Sequence, residues 1–412
     1  MSLEQLNIGR QTIMPPSSYS LQALLKQVDQ GSIVELLREM IAIPSVNPFD
    51  EPANEDCREL EIADYYQSRM DHLGLLTSRR DVVSGRPNIF GRVKGNGAGP
   101  CVMLAGHLDT VGVTGYSNPF DPVIRNKRVY GRGSCDMKAG LAAFIEVARI
   151  IIQNDIELAG DLLIAGIADE EHHMIGSKEI RENGPIPDFA IVGEPTELEV
   201  CHAHKGQLCM HIRTHGRACH SSMPELGINA ITHMSKVIAA FEGYNDELRS
   251  RPAHPVCGHG RFSPGVIRGG DIASSVPDYC ELEVDRRMLV GESTESVVSE
   301  YRKRIDPLTS SVPGFNYEIG PATIEISALD TPLESPVVEQ SAQAFSDTVG
   351  RATELAPFAG ATDAPNLLCP AVICGPGSIR QAHTLDEFVE IDQVTDAAKI
   401  YLRTVLAMQL IV

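Results

Sequence analysis

The sequence predicts an α/β fold: a layered catalytic domain around a central, mostly parallel sheet, with a smaller α+β domain inserted into it. Three observations lead there. Four short apolar runs end in a glycine or in acidic residues, amphipathic helices alternate with them, and the pattern changes to alternating strands between residues 207 and 319. Apolar runs of this length between turn signals fit buried core strands. Residues 102–106 run into His107 and Asp109, and 162–168 into Asp169-Glu170-Glu171. Residues 189–193 run into Glu194-Pro195, and 371–374 into Gly375-Pro376-Gly377, six residues short of His383. As parallel neighbours, these strands would bring their carboxyl ends to one crevice, where open α/β sheets bind ligands.

Taken in order, residues 32–42 repeat apolar positions at helical spacing and stop at Ile43-Pro44, because proline disfavours helix at the residue before it. A second amphipathic helix is expected over 54–73, followed by strands that lead to the His107 segment. Gly131-Arg132-Gly133-Ser134-Cys135-Asp136 is a glycine-rich loop feeding an apolar-periodic helix over 141–152. An aspartate at that entry can serve as an N-cap, its side chain accepting backbone N–H groups. Strand and helix alternate to this point, which gives the layered arrangement. Beyond Lys205-Gly206 the character changes. Residues 208–214 alternate like a half-buried strand, and a helix is expected over 228–241. A Pro/His/Gly-rich loop follows over 251–260, then strands at 265–268 and 279–286 and a helix over 293–305. The insert is therefore expected over 207–319, as a dimerisation or lid domain, with 1–206 and 320–412 forming the catalytic domain.

The totals narrow the function classes. A chain of 412 residues can bury a large core in two domains. Its net charge of -20, from 35 basic and 55 acidic residues, argues against nucleic-acid or anionic-membrane partners, which need basic patches. The ten cysteines have no C-x-x-C pair and read as free thiols in a reducing compartment. Residues 1–20 are polar and lack a signal-peptide core. No run reaches the roughly 18 apolar residues of a membrane span. The expectation is a cytoplasmic, soluble protein.

The strand ends and the helix entry together supply His107, Asp109, Asp136, Glu170, Glu171, Glu194 and His383: two imidazoles and five carboxylates. Five carboxylates brought together without cations would raise one another's pKa values. Two divalent ions nearly cancel that repulsion, and imidazole with carboxylate suits Zn²⁺, with Co²⁺ or Mn²⁺ as other occupants. One carboxylate bridging two metals, each also holding a histidine and a terminal carboxylate, uses five of the seven; the other two remain for proton transfer and for orienting a ligand. No G-x-S-x-G, H-E-x-x-H, G-x-x-x-x-G-K-[ST] or G-x-G-x-x-G motif is present.

The motifs Gly106-His107-Leu108-Asp109-Thr110-Val111, Gly131-Arg132-Gly133 with Asp136-Met137-Lys138, Asp169-Glu170-Glu171 with Gly176-Ser177, Gly193-Glu194-Pro195 and His220-Ser221-Ser222 stand in one order. In that order they resemble the co-catalytic zinc aminoacylases and peptidases, the group of acetylornithine deacetylase, succinyl-diaminopimelate desuccinylase and carboxypeptidase. The resemblance covers the chain past Ser32. It implies that Asp136 bridges two metals, with His107 and Glu194 completing one site and Glu171 and His383 the other. It also implies that Glu170 is the general base, that Asp109 orients His107, and that His220, reaching across a homodimer, stabilises the oxyanion. Arg287, with Arg286 as a rival, matches a family arginine that holds a substrate carboxylate, and Gly375 and Gly377 line the same pocket. Where the family often carries Asn three residues before a proline, Ser274 stands before Pro277. Ala203-His204-Lys205-Gly206 and the segment from Gly375 to His383 are most similar to the acetylornithine deacetylase branch. The implied substrate is an N-acyl amino acid or a short peptide. His172, His173, His202 and His204 are read as surface residues, and His211, His215 and His233 as surface or packing residues.

Overall fold

The computed structural model describes residues 20–411; all but the last residue of the polar N-terminal stretch read above lies outside them. A six-stranded sheet runs in the order Leu76–Val83, Arg86–Val93, Leu162–Ile167, Val102–His107, Phe189–Val192, Ala371–Ile373. The last four strands are mutually parallel, while the first two pair antiparallel with their neighbours. The four apolar runs of the sequence are therefore adjacent. Every residue of Val102–His107 and Leu162–Ile167 is buried, because the sheet is covered on both faces.

Side chains alternate between those faces, as a strand's period of two requires. Val102 and Leu104 point into the larger core, with the helices Gln30–Ile41, Lys138–Gln153 and Ile391–Met408. Met103 and Ala105 point into a second core with Phe358, Ala364 and Leu367. In Lys138–Gln153, Phe144 is fully buried against Tyr401, with ring centroids 5.0 Å apart. Fully burying such a side chain contributes about 1.5–3 kcal/mol. The helix expected over 54–73 begins later, as Glu59–Leu73, because Asn54 is drawn into a turn where its side chain accepts the Asp56 N–H at 2.8 Å.

The insert carries its own antiparallel sheet, in the order Arg261–Gly269, Tyr279–Met288, Gly206–His215, Asn316–Ile326. Helices Ala230–Ala240 and Thr294–Ser311 cover one face, around Met210, Met234, Val284 and Tyr301. The final strand runs past residue 319, pairing Ile326 opposite Gln207 after two register shifts. Its largely solvated surface and irregular register hide it from periodicity. All ten cysteines are free, and among the described residues no helix is long and apolar enough to cross a membrane.

Candidate active site

Strand register assembles the site. His107 stands opposite Ile167 and Ala105 opposite Val192, so the residues just beyond these strands emerge together. His107 ends its strand, Glu170 and Glu171 follow Leu162–Ile167, and Glu194 follows Phe189–Val192. Asp136 precedes the helix Lys138–Gln153 but does not cap it: Met137 holds the N-cap position, without a side-chain cap bond. Its carboxylate is used elsewhere. Oδ1 lies 3.0 Å from His107 Nε2, and Oδ2 lies 3.4 Å from His383 Nε2. His107 Nε2 is also 3.7 Å from Glu194 Oε1, and His383 Nε2 is 3.1 Å from Glu171 Oε2. Thus one carboxylate faces two histidines, each with its own glutamate. Glu170 joins the same cluster: it, His107 and Glu194 each offer an atom within 4.8 Å of the others.

The donor set fits two divalent cations. Atoms sharing a tetrahedral ion with bonds of about 2.0–2.1 Å stand roughly 3.3 Å apart, and the four contacts above span 3.0–3.7 Å. The His107 Nδ1–H donates to the Asp109 carbonyl at 2.9 Å, so a neutral ring turns its Nε2 lone pair toward two carboxylates. Glu171 Oε1 and Glu194 Oε1 are buried without a hydrogen-bond partner among the described residues. Cations resolve both mismatches.

Electrostatics agree. Burial opposes a charged His107 ring, yet the negative charge of Glu194, with the Asp109 and Asp136 carboxylates close by, pushes its pKa well above the ordinary value. Burial likewise works to raise Asp136, but hydrogen bonds from His107 and His383 hold it well below the usual carboxylate range. Glu171 and Glu194 are each pushed up to about 7, chiefly by burial. Glu170 rises well above its ordinary value, again chiefly by burial. Without cations, this crevice holds more negative charge than its histidines balance.

The signature described as Peptidase family M20/M25/M40 matches residues 103–407. The chain belongs to this family. An acetylornithine deacetylase of Proteus mirabilis (strain HI4320) is 33% identical over 378 residues, which is 87% of this chain and 92% of that protein. The crystal structure of an aminopeptidase from Bacillus cereus ATCC 10987 has a TM-score of 0.75 at 20% identity, covering 92% of this chain and 99% of that one. A dinuclear metal binding peptidase of the M20 family from Bacillus subtilis has a TM-score of 0.68 at 15% identity, covering 93% and 99%. At those identities the two structures speak for the fold alone. Membership makes the chain a hydrolase acting on amide bonds.

Several supports of this M20 site escaped the sequence reading. Glu387 is fully buried; it accepts the Cys135 and Asp136 N–H groups on Oε1, at 2.8 and 3.0 Å, and the Gly133 N–H on Oε2, at 3.1 Å. Arg132 Nη1 donates to the same Oε2 at 2.6 Å. The whole Asp136 loop is gathered on one side chain. In sequence, Glu387 sits in a polar stretch after His383 and gives no signal. Asn47 donates to Asp109 Oδ2 at 2.8 Å and to Asp169 Oδ1 at 2.9 Å, and only its place after Pro44 hints at a fixed loop. Asp363 is buried beside this cluster, its pKa pushed up to about 7 by burial, with Oδ1 unpartnered among the described residues. The fully buried Lys138 Nζ donates to the Met40 and Ile43 carbonyls, each at 3.0 Å, pinning the start of its helix to the end of Gln30–Ile41.

Other expected residues are distributed unevenly. The Asp109 carboxylate stands 3.6 Å from His107 Nδ1, farther than its own carbonyl, and instead accepts the Glu170 and Glu171 N–H groups at 3.0 and 3.2 Å. It thereby fixes the backbone that carries both glutamates. Gly375 packs where an added Cβ would lie 2.2 Å from the Gly193 carbonyl oxygen, and Gly377 takes φ +89° beside Cys135. These glycines let the loop press against the segments bearing Glu194 and Asp136. His220 is not in the cluster; it is exposed on the insert's short pairing of Cys219–His220 with Ser275–Val276, its Nδ1 2.7 Å from Ser222 Oγ. Arg286 is fully buried and bonded to Glu292, whereas Arg287, on the opposite face of the strand, is partly exposed and bonded to Asp285 at 3.0 Å. The surface reading of His202 and His204 is wrong. Both are buried, His202 Nδ1 on the Thr331 carbonyl at 2.8 Å and His204 Nε2 on Thr362 Oγ1 at 3.1 Å, because their segment is covered by Leu329–Asp330 and Phe358, with which it pairs.

Proposed function

We propose that this chain is a two-metal amide hydrolase that removes the acyl group from an N-acyl amino acid, with N-acetylornithine the foremost substrate. The observation that carries the reading is the pair of histidine–glutamate couples facing opposite oxygens of Asp136. His107 and Glu194 would hold one cation, Glu171 and His383 the other, and Asp136 both, with Zn²⁺ favoured by the donors. Bound there, two cations supply Lewis acidity for the amide carbonyl and acidify a water toward neutral pH.

The protein's own residues supply the proton chemistry. The Glu170 carboxylate takes a proton from the attacking water and returns it to the leaving amine nitrogen. Burial is the chief cause that raises its pKa, and cations bound beside it would favour the charged base form. Asp109 keeps that base in position through the Glu170 N–H, and its carbonyl sets the His107 tautomer. Arg287 is the candidate anchor for the substrate α-carboxylate. His220, exposed on the insert, would need delivery by a partner subunit or by domain closure to reach the oxyanion. The edge strand Arg261–Gly269, with exposed Val266 and Ile267, offers the pairing surface for a homodimer.

The substrate is read from the 33% identity to an acetylornithine deacetylase and from the segments around Lys205 and His383. A hydrolysis panel tests it: N-acetylornithine, N-succinyl-diaminopimelate and dipeptides, with zinc and cobalt added separately. Preference for a dipeptide would overturn the substrate. Glu170→Ala is expected to retain two equivalents of metal and lose most turnover, and normal turnover in that variant would refute the base.

A further inference from the structure

Three residues outside the hydrolytic cluster converge at its rim. Asp50 lies in the loop after Pro48, and His172 and His173 directly follow Glu171. Both His172 Nε2 and His173 Nε2 lie 2.9 Å from one atom, Asp50 Oδ2, and the three donor atoms all fall within 4.8 Å of one another. The rings are held in that pose from several sides. They lie against each other with centroids 3.7 Å apart and planes tilted by 36°, and Phe49 meets His172 edge-on at 5.3 Å. The His173 N–H donates to Asp169 Oδ2 at 3.1 Å, and the Phe49 N–H to Asn47 Oδ1 at 2.9 Å. Phe49 and Asp50 both adopt left-handed backbone, φ 50° and 65°, which a phenylalanine rarely does. That turn carries Asp50 back over the two imidazoles.

We propose that Asp50, His172 and His173 form a third cation site, a two-histidine, one-carboxylate face for a divalent transition ion. Ligand atoms sharing one ion at bonds of about 2.0–2.1 Å stand roughly 2.9–3.4 Å apart, depending on coordination number. The two histidine–aspartate separations, 2.9 Å each, meet that requirement. Imidazole donors select zinc, copper or nickel over magnesium and calcium. With side-chain exposures of 72% for Asp50, 22% for His172 and 35% for His173, the remaining coordination positions open to water. Three protein ligands and open positions make this site weaker than the enclosed pair, so it fills last. It is also wired to the enclosed pair. Asn47, three residues before Asp50, holds Asp109 and Asp169, and His172 and His173 continue the segment of Glu170 and Glu171. An ion here clips loop 47–50 to the segment that carries the base.

The test is metal stoichiometry on untagged full-length holoenzyme, by equilibrium dialysis against rising free Zn²⁺ with elemental analysis. The readout is a difference: wild type binds one more equivalent per chain than the Asp50→Asn, His173→Ala double variant, whose circular dichroism and hydrolytic rate at low zinc match wild type. Equal stoichiometry in the two proteins overturns the proposal. Asp136→Ala separates this site from the enclosed one, since it is expected to keep the rim equivalent while losing the others. Loss of the rim equivalent in that variant would also overturn an independent third site.

Discussion

Replacing Glu387 with glutamine probes the support of Asp136 with almost no change in volume. The carboxylate accepts four donors: the N–H groups of Gly133, Cys135 and Asp136, and Arg132 Nη1. An amide oxygen keeps two of these, and its NH₂ then faces two donors. Two hydrogen bonds to a charged group, at about 1.5–3 kcal/mol each, are lost. Breaking a buried ion pair by removing one charge costs about 3–5 kcal/mol, and Arg132 and Glu387 are both buried. The two routes converge on a loss of about 3–5 kcal/mol, expressed locally as a loosened Asp136 loop. Partners that orient metal ligands from behind are typically worth about 10–100-fold in metal affinity. Glu387→Gln is therefore expected to weaken zinc retention by that factor in competition with a chromophoric chelator, and to lower the melting temperature. Unchanged chelator competition together with an unchanged melting temperature would refute the reasoning.

Other expectations follow from buried residues. Phe144 fills the space between Tyr401 and the Gly193 backbone, so Phe144→Ala is expected to cost about 3–5 kcal/mol, read as a lowered melting temperature; a melting temperature equal to wild type contradicts that packing. His204 is buried, and burial lowers its pKa to about 4 from the ordinary 6.5. Between those values the unfolded chain binds the extra proton, so stability is full above pH 6.5 and falls as pH drops toward 4, by about 3 kcal/mol from this residue. His204→Gln is expected to flatten the acid side of a stability-against-pH curve by that amount, and an unaltered curve argues against a neutral buried imidazole.

Much of this fold is legible because a parallel sheet covered on both faces must be built from nearly continuous apolar runs, and four such runs end in the residues of the site. The carboxyl-end convergence follows from parallel order alone. What sequence could not supply were contacts made across the chain by single polar residues. Glu387 gathers a loop some 250 positions earlier, and Asn47 reaches Asp109 and Asp169, yet neither stands in a pattern. His202 and His204 look like surface residues because burial by a crossing segment has no local signature. The strand Asn316–Ile326 is missed, and the expected boundary after residue 319 falls inside it, because its surface is largely solvated and its register shifts twice. Asp136 does not take the N-cap alternative, because a side chain turned toward two histidines cannot also turn toward its own helix.

Anomalous diffraction at the zinc edge, on crystals of zinc-loaded protein, tests the core of this account most directly. Two peaks are expected to flank the Asp136 carboxylate, one contacted by His107 and Glu194 and the other by Glu171 and His383. A single peak, or two that leave Asp136 unbound, would contradict it.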